Sequence, residues 1–190
     1  MSTLADTISS ALTAAGPATE IRLRDIFAEF SELNLGDEER LSVLATAIAS
    51  AAATHHVRHT QVYLEAVRTW ALEISAELQP APLRLSGANI GGPVEEGADI
   101  LIGGLDELIE NMTSAGVRVQ DRLVTELALV SRLLGQHDAN TIHFTLMSVG
   151  RALADGRYRA GDTVVVPLRE AVRPLSRDAR LETLQPRGFA

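Results

Sequence analysis

The chain has 190 residues, a formal net charge of −8, an apolar fraction of 46% and only 4% aromatic residues. That is enough for one well-buried globular domain, and abundant Ala with few aromatics suits helix–helix packing better than a β-sandwich core. Two absences exclude whole chemistries: the chain has no Cys and no Lys. The first removes disulfides, thiol nucleophiles, iron–sulfur clusters and thiolate zinc sites, and the second removes a Schiff-base amine, a Walker A lysine and a lysine general base.

All 17 basic side chains are therefore Arg. A GC-rich coding sequence explains this most simply; selection for the guanidinium fork, which grips phosphate and carboxylate in two-pronged fashion, is the sharper alternative. Charge is also uneven. Residues 1–150 hold nine Arg against twenty acidic residues (−11), whereas residues 151–190 hold eight Arg against five (+3). An acidic body with a basic tail predicts a tail that docks on something negative, either nucleic acid or the acidic face of a neighbouring copy.

In chain order, Ser2 or Thr3 can cap a first helix in which Leu4, Ile8 and Leu12 recur at four-residue spacing, stopped by Gly16-Pro17. A second helix is predicted over Glu20 to Asn34, with Ile26, Phe27, Phe30 and Leu33 on its core face, and Gly36 fits a left-handed C-terminal position. Asp37 reads as the next N-cap, with Glu38 and Glu39 complementing the positive helix end. From there to Leu78 there is no Gly or Pro. One apolar stripe runs through Leu41, Leu44, Ile48 and Ala52, and continues through His55, His56 and His59 to Val62, Tyr63, Val67, Trp70 and Ile74. The segment is either one long spine or two helices hinged at the histidines, with Thr60 capping the second.

Residues 79–93 hold three Pro and three Gly and form the one long irregular connection, with a short extended piece at Leu83–Leu85. Pro93 sits at the start of a helix carrying Val94, Ala98, Leu101, Leu105, Leu108 and Met112. Gly97 and Gly104 lie seven apart on nearly one side of it, which predicts close approach by another helix, within the bundle or from another subunit. Gly116 ends that helix; Val119 to Leu134 defines the next, closed by Gly135. Asn140 or Thr141 caps one more, over Ile142 to Leu153, closed by Gly156. Thr163–Val166 then reads as a short strand ended by Pro167, Leu168 to Val172 as one helical turn, and the chain from Ser176 as polar and extended.

The expected architecture is thus all-α: a helical bundle of five to seven helices over residues 1–156, with a short β element near the C-terminus and an extended Arg-rich tail. Residues 157–190 form the basic arm, docking on the domain or on a neighbouring subunit. The start of the chain lacks a basic-then-apolar leader, and the longest apolar run, Ile100 to Leu105, is far too short to span a bilayer. A cytoplasmic protein without membrane contact is the expectation.

Three constellations carry candidate chemistry. His55 and His59, four apart, would share one helix side and could hold a metal, but no His-Glu-x-x-His or Glu-x-x-His pattern accompanies them. The glycine-rich stretch Ser86–Pro93 leads into a helix as phosphate-cradling loops do. It lacks the lysine and the spacing, however, and Glu95 and Glu96 occupy the helix end a phosphate would use, so it reads as a connector. Arg157, Arg159, Arg169, Arg173, Arg177 and Arg180 are the candidate contacts to an acidic partner or to nucleic acid. The acids interleaved among them favour the protein partner. No Gly-x-Ser-x-Gly elbow occurs, and no cofactor is implied. The functional expectation is a non-catalytic structural protein that self-associates into a homo-oligomer through helix faces and the C-terminal arm. The alternatives are a nucleoprotein subunit using Arg side chains, and a His-dependent metal-binding helical enzyme.

Overall fold

Leu41 to Ser50 in the middle of the glycine-free stretch are all buried, ten residues in succession. A helix with no solvent face must be surrounded, and the fold is the arrangement that surrounds it. The computed structural model describes residues 6, 9, 10, 12, 13, 16–55, 57–83, 92–156, 165, 166 and 168. Six helices are assigned: α1 (Pro17–Glu32), α2 (Asp37–Ala53), α3 (Val57–Leu78), α4 (Gly92–Ser114), α5 (Val119–Leu134) and α6 (Ala139–Ala154). No strand occurs among the described residues, and none of their helices is long and apolar enough to cross a membrane.

Helix α2 packs against α3, α4, α5 and α6, while α1 lies outside on α4. The small side chains of α2 (Ser42, Ala45, Thr46, Ala47, Ala49, Ser50) let the neighbours close in. Leu41, Leu44 and Ile48 are essentially inaccessible, each worth about 1.5–3 kcal/mol of burial. Contacts also set the directions. Gly97 meets Leu33 and Gly104 meets Ile26, so α1 and α4 run antiparallel. Tyr63 bonds Glu126, Ser131 bonds Val67 and Gly135 meets Ile74, so α3 and α5 run parallel.

The spine-or-hinge alternative resolves to the hinge. Helix α2 ends at Ala53 with Thr54 as C-cap, its N–H donating to Ala51 and Ala52 carbonyls, and α3 restarts at Val57. Thr60 is not the cap expected of it: it lies inside α3, and its hydroxyl donates to the Ala52 carbonyl at 3.3 Å. Three other boundaries differ. Helix α1 spans Pro17–Glu32 rather than Glu20–Asn34, because Pro17 supplies the fixed φ of a first turn. Gly36 is not left-handed (φ −68°); it is the N-cap of α2 in place of Asp37, and its N–H donates to the Glu39 carboxylate at 2.7 Å. The cap of α6 is Asp138, accepting from Asn140 and Thr141 N–H groups, rather than Asn140 or Thr141 itself.

Asp138 also accepts the Leu83 N–H at 3.1 Å, tying the long connection to the α5–α6 turn; the remainder of the extended piece expected at Leu83–Leu85 lies outside the described residues. The first helix is described only at residues 6, 9, 10, 12 and 13, all helical. Most of the expected Thr163–Val166 strand, and the arm beyond Leu168, likewise lie outside them. Val165 and Val166 are non-helical, and the Val166 N–H donates to Thr46 Oγ1 at 3.0 Å. Val166 and Leu168 are buried in the same core as the helices.

The glycines of α4 and the α5 end divide by what surrounds them. A Cβ at Gly135 would lie 2.7 Å from the Ile74 Cβ and 3.0 Å from the Ala71 carbonyl, whereas one at Gly103 would meet nothing within 4 Å. Gly135→Ala is therefore expected to destabilise by about 1–3 kcal/mol, and Gly103→Ala to stabilise the folded chain by up to about 1 kcal/mol. Urea denaturation of the two variants checks both signs.

Candidate functional site

The α2–α3 turn and the polar groups behind it form the most chemically loaded region of the described structure. His55 is half-buried in the turn; its ring lies 5.1 Å from that of Tyr63, tilted by 37°. Its Nε2 atom is buried and finds no hydrogen-bond partner among the described residues. Burial, helped by the nearby His59, holds the His55 pKa below its ordinary value. His59 is exposed on α3. No group of three or more His, Cys, Asp or Glu placed to hold a metal occurs among the described residues. The expected metal pair, His55 and His59, thus lies without a third such ligand among the described residues.

Tyr63 is only 4% exposed, and its hydroxyl donates to Glu126 Oε1 of α5 at 2.8 Å. Burial, the Glu126 charge and that hydrogen bond together push the phenol pKa far up. Glu126 itself is raised by burial, an effect that the Tyr63 hydrogen bond opposes and the charge of Asp106 on α4 reinforces; Asp106 is raised by burial as well. Asp106, Glu110 and Glu126 share a recess of about 330 Å³ with Ser50 and Thr54, walled by Ile102, Leu105 and Ile109. The chain of contacts His55–Tyr63–Glu126 therefore links the hinge to an acidic recess. Sequence reasoning had placed Tyr63 on the core stripe but passed over Glu126 and Asp106. Glu126 sits beside core position Leu127, a weak signal, and nothing in the sequence pairs it with a tyrosine 63 residues away.

The outer face of α4 exposes Glu96, Asp99, Ile100, Gly103 and Glu107. The helix contains six carboxylates and no basic residue. Among the described residues only Glu107 of these is in an ion pair, with Arg22 at 2.7 Å. The predicted arginine contacts, Arg157, Arg159, Arg169, Arg173, Arg177 and Arg180, all lie outside the described residues. No protein-family model matches the chain, and no curated protein or solved structure matches it.

The titrating groups give opposed pH effects. His55 and His137 are both held low by burial. The unfolded chain therefore binds protons that the folded one refuses, and stability falls as pH drops below about 6.5. Glu126, held high, works the other way: its contribution is present in acid and is lost as pH rises through its folded value. Wild-type urea midpoints are expected to fall between about pH 7.5 and about pH 5.5, and less steeply in a His55→Asn/His137→Asn variant. Tyr63→Phe, which takes a hydrogen bond from the half-buried Glu126 carboxyl group, is expected to cost about 1–3 kcal/mol at neutral pH. The same titration reads it against Tyr63→Phe/Glu126→Gln, which should recover part of the loss.

Proposed function

We propose that the protein is a non-catalytic assembly subunit that associates with copies of itself, its Arg-rich arm reaching the acidic surface of a neighbour. The observation that carries this is Gly103. A glycine inside a helix costs about 1 kcal/mol relative to Ala unless something needs the space. Gly97 and Gly104 have that reason within the chain, since a Cβ would come within 3.0 Å of Val43 and 3.1 Å of Ile26 respectively. Among the described residues Gly103 has none: it is exposed, a Cβ there would meet nothing within 4 Å, and of the carboxylates around it only Glu107 is ion-paired. A close, positively charged approach from another chain accounts for both features. The charge division supports it, −11 over residues 1–150 against +3 over residues 151–190.

Light scattering across a concentration series should find a mass that rises above the 20.4 kDa of one chain. The association should weaken with salt, as surface charge pairs do. Removing the arm tests its part, and the cut belongs after Leu168, because a cut at Gly156 would also strip Val166 and Leu168 from the core. The truncated chain should associate more weakly while melting as before. A monomer at every concentration would sink the proposal. Nucleic acid co-purifying with the arm-bearing chain and lost on truncation would assign the arm to phosphate instead.

A further inference from the structure

Helices α1 and α5 both flank the core, and a cleft of about 490 Å³ separates them. Its floor is apolar, made by Leu23 and Phe27 of α1 and Ala128 and Leu129 of α5. Arg24 and Arg132 also line it; both are exposed, and neither is in an ion pair among the described residues. The Arg132 guanidinium lies 5.1 Å from the centre of the Phe27 ring, which holds it over the cleft. Among the described residues Glu20 is the one carboxylate lining the cleft, against two arginines.

Elsewhere on the same molecule, the outer face of α4 presents the complementary set. Glu96 and Asp99 are exposed and without an ion pair among the described residues, Ile100 is an exposed large apolar side chain, and Gly103 leaves the backbone bare. We propose that the α4 outer face of one copy docks in the α1–α5 cleft of a second copy. Ile100 meets the Leu23–Phe27–Leu129 floor, Glu96 and Asp99 face Arg24 and Arg132, and Gly103 lets the partner's helices come close. This rests on the self-association proposed above and names its surfaces. The two patches share no residue, so a pair joined by one such contact keeps a free cleft and a free α4, through which it can add further copies into rings or open chains.

Charge exchange tests this without touching the core. Arg24→Glu/Arg132→Glu puts acid in the cleft, and Glu96→Arg/Asp99→Arg puts base on α4. Each variant alone juxtaposes like charges and should associate about tenfold or more weakly than wild type, with an unchanged melting curve. Mixed in equal amounts, they present acid cleft to basic α4 and basic cleft to acidic α4, so light scattering should show association restored. If the separate variants associate as wild type does, or the mixture stays as weak as its components, the docking is wrong, although self-association itself would stand. If wild-type protein is monomeric throughout, both fall.

Discussion

The arrangement depends on α2 being wrapped on all sides. Ten consecutive buried positions leave the helix no polar face, so its stability comes from the packing of α3, α4, α5 and α6 around it. Such a helix must be thin, and Ala, Ser and Thr make it so. Ser42 Oγ is buried without a partner among the described residues, whereas Thr46 is satisfied in place. Thr46 Oγ1 donates to the Ser42 carbonyl at 2.7 Å and accepts the Val166 N–H at 3.0 Å. A segment 120 residues along the chain is thereby fastened to the centre of the bundle. Buried polar atoms are costly when unmatched, so this single bond both solves a problem of α2 and places the root of the C-terminal arm.

Wrapping also explains the break at the histidines. A continuous helix over residues 37–78 would carry its second half away from the bundle, whereas the break after Ala53 lets α3 pack on α2, α5 and α6. Burial of Tyr63 against α5 and of Val67 and Ala71 follows from that packing. His55 is left where α2 and α3 diverge, with its ring on Tyr63 and no partner for Nε2 among the described residues. Its half-burial follows from helix packing around it; a ligand set was not required to put it there.

Exposed features gain meaning once the core accounts for the rest. Gly97, Gly104 and Gly135 are each pressed by side chains of another helix, so their lack of Cβ has a local cause. Among the described residues Gly103 and the α4 carboxylates other than Glu107 have no such cause, and the cleft between α1 and α5 sets the single carboxylate of Glu20 against two arginines. Complementary surfaces that cannot meet within one molecule can meet between two. Specificity in such contacts comes chiefly from charge matching, and their strength from the small apolar area it encloses.

The helices were legible in the sequence because their signals are local: apolar residues at three- and four-residue spacing, Gly and Pro at the ends, and no Gly or Pro across residues 37–78. Caps were read one or two residues off at Gly36 and Asp138, because a backbone N–H can be satisfied by a carboxylate several positions away, as Glu39 does for Gly36. The histidine pair was visible as spacing, but spacing says nothing of a third ligand. Tyr63 with Glu126, Thr46 with Val166, and the approach of Ile74 to Gly135 join residues 61 to 120 positions apart. No periodicity encodes such partners, which exist only once the helices have been set side by side. By itself, then, the sequence determined a helical bundle, an acidic body and the chemistries it lacks, since these follow from residue types and their spacing. Only the tertiary structure decided that residues 37–78 fold as a hinge, which helix is central and which glycine stands uncovered, because those depend on what packs against what.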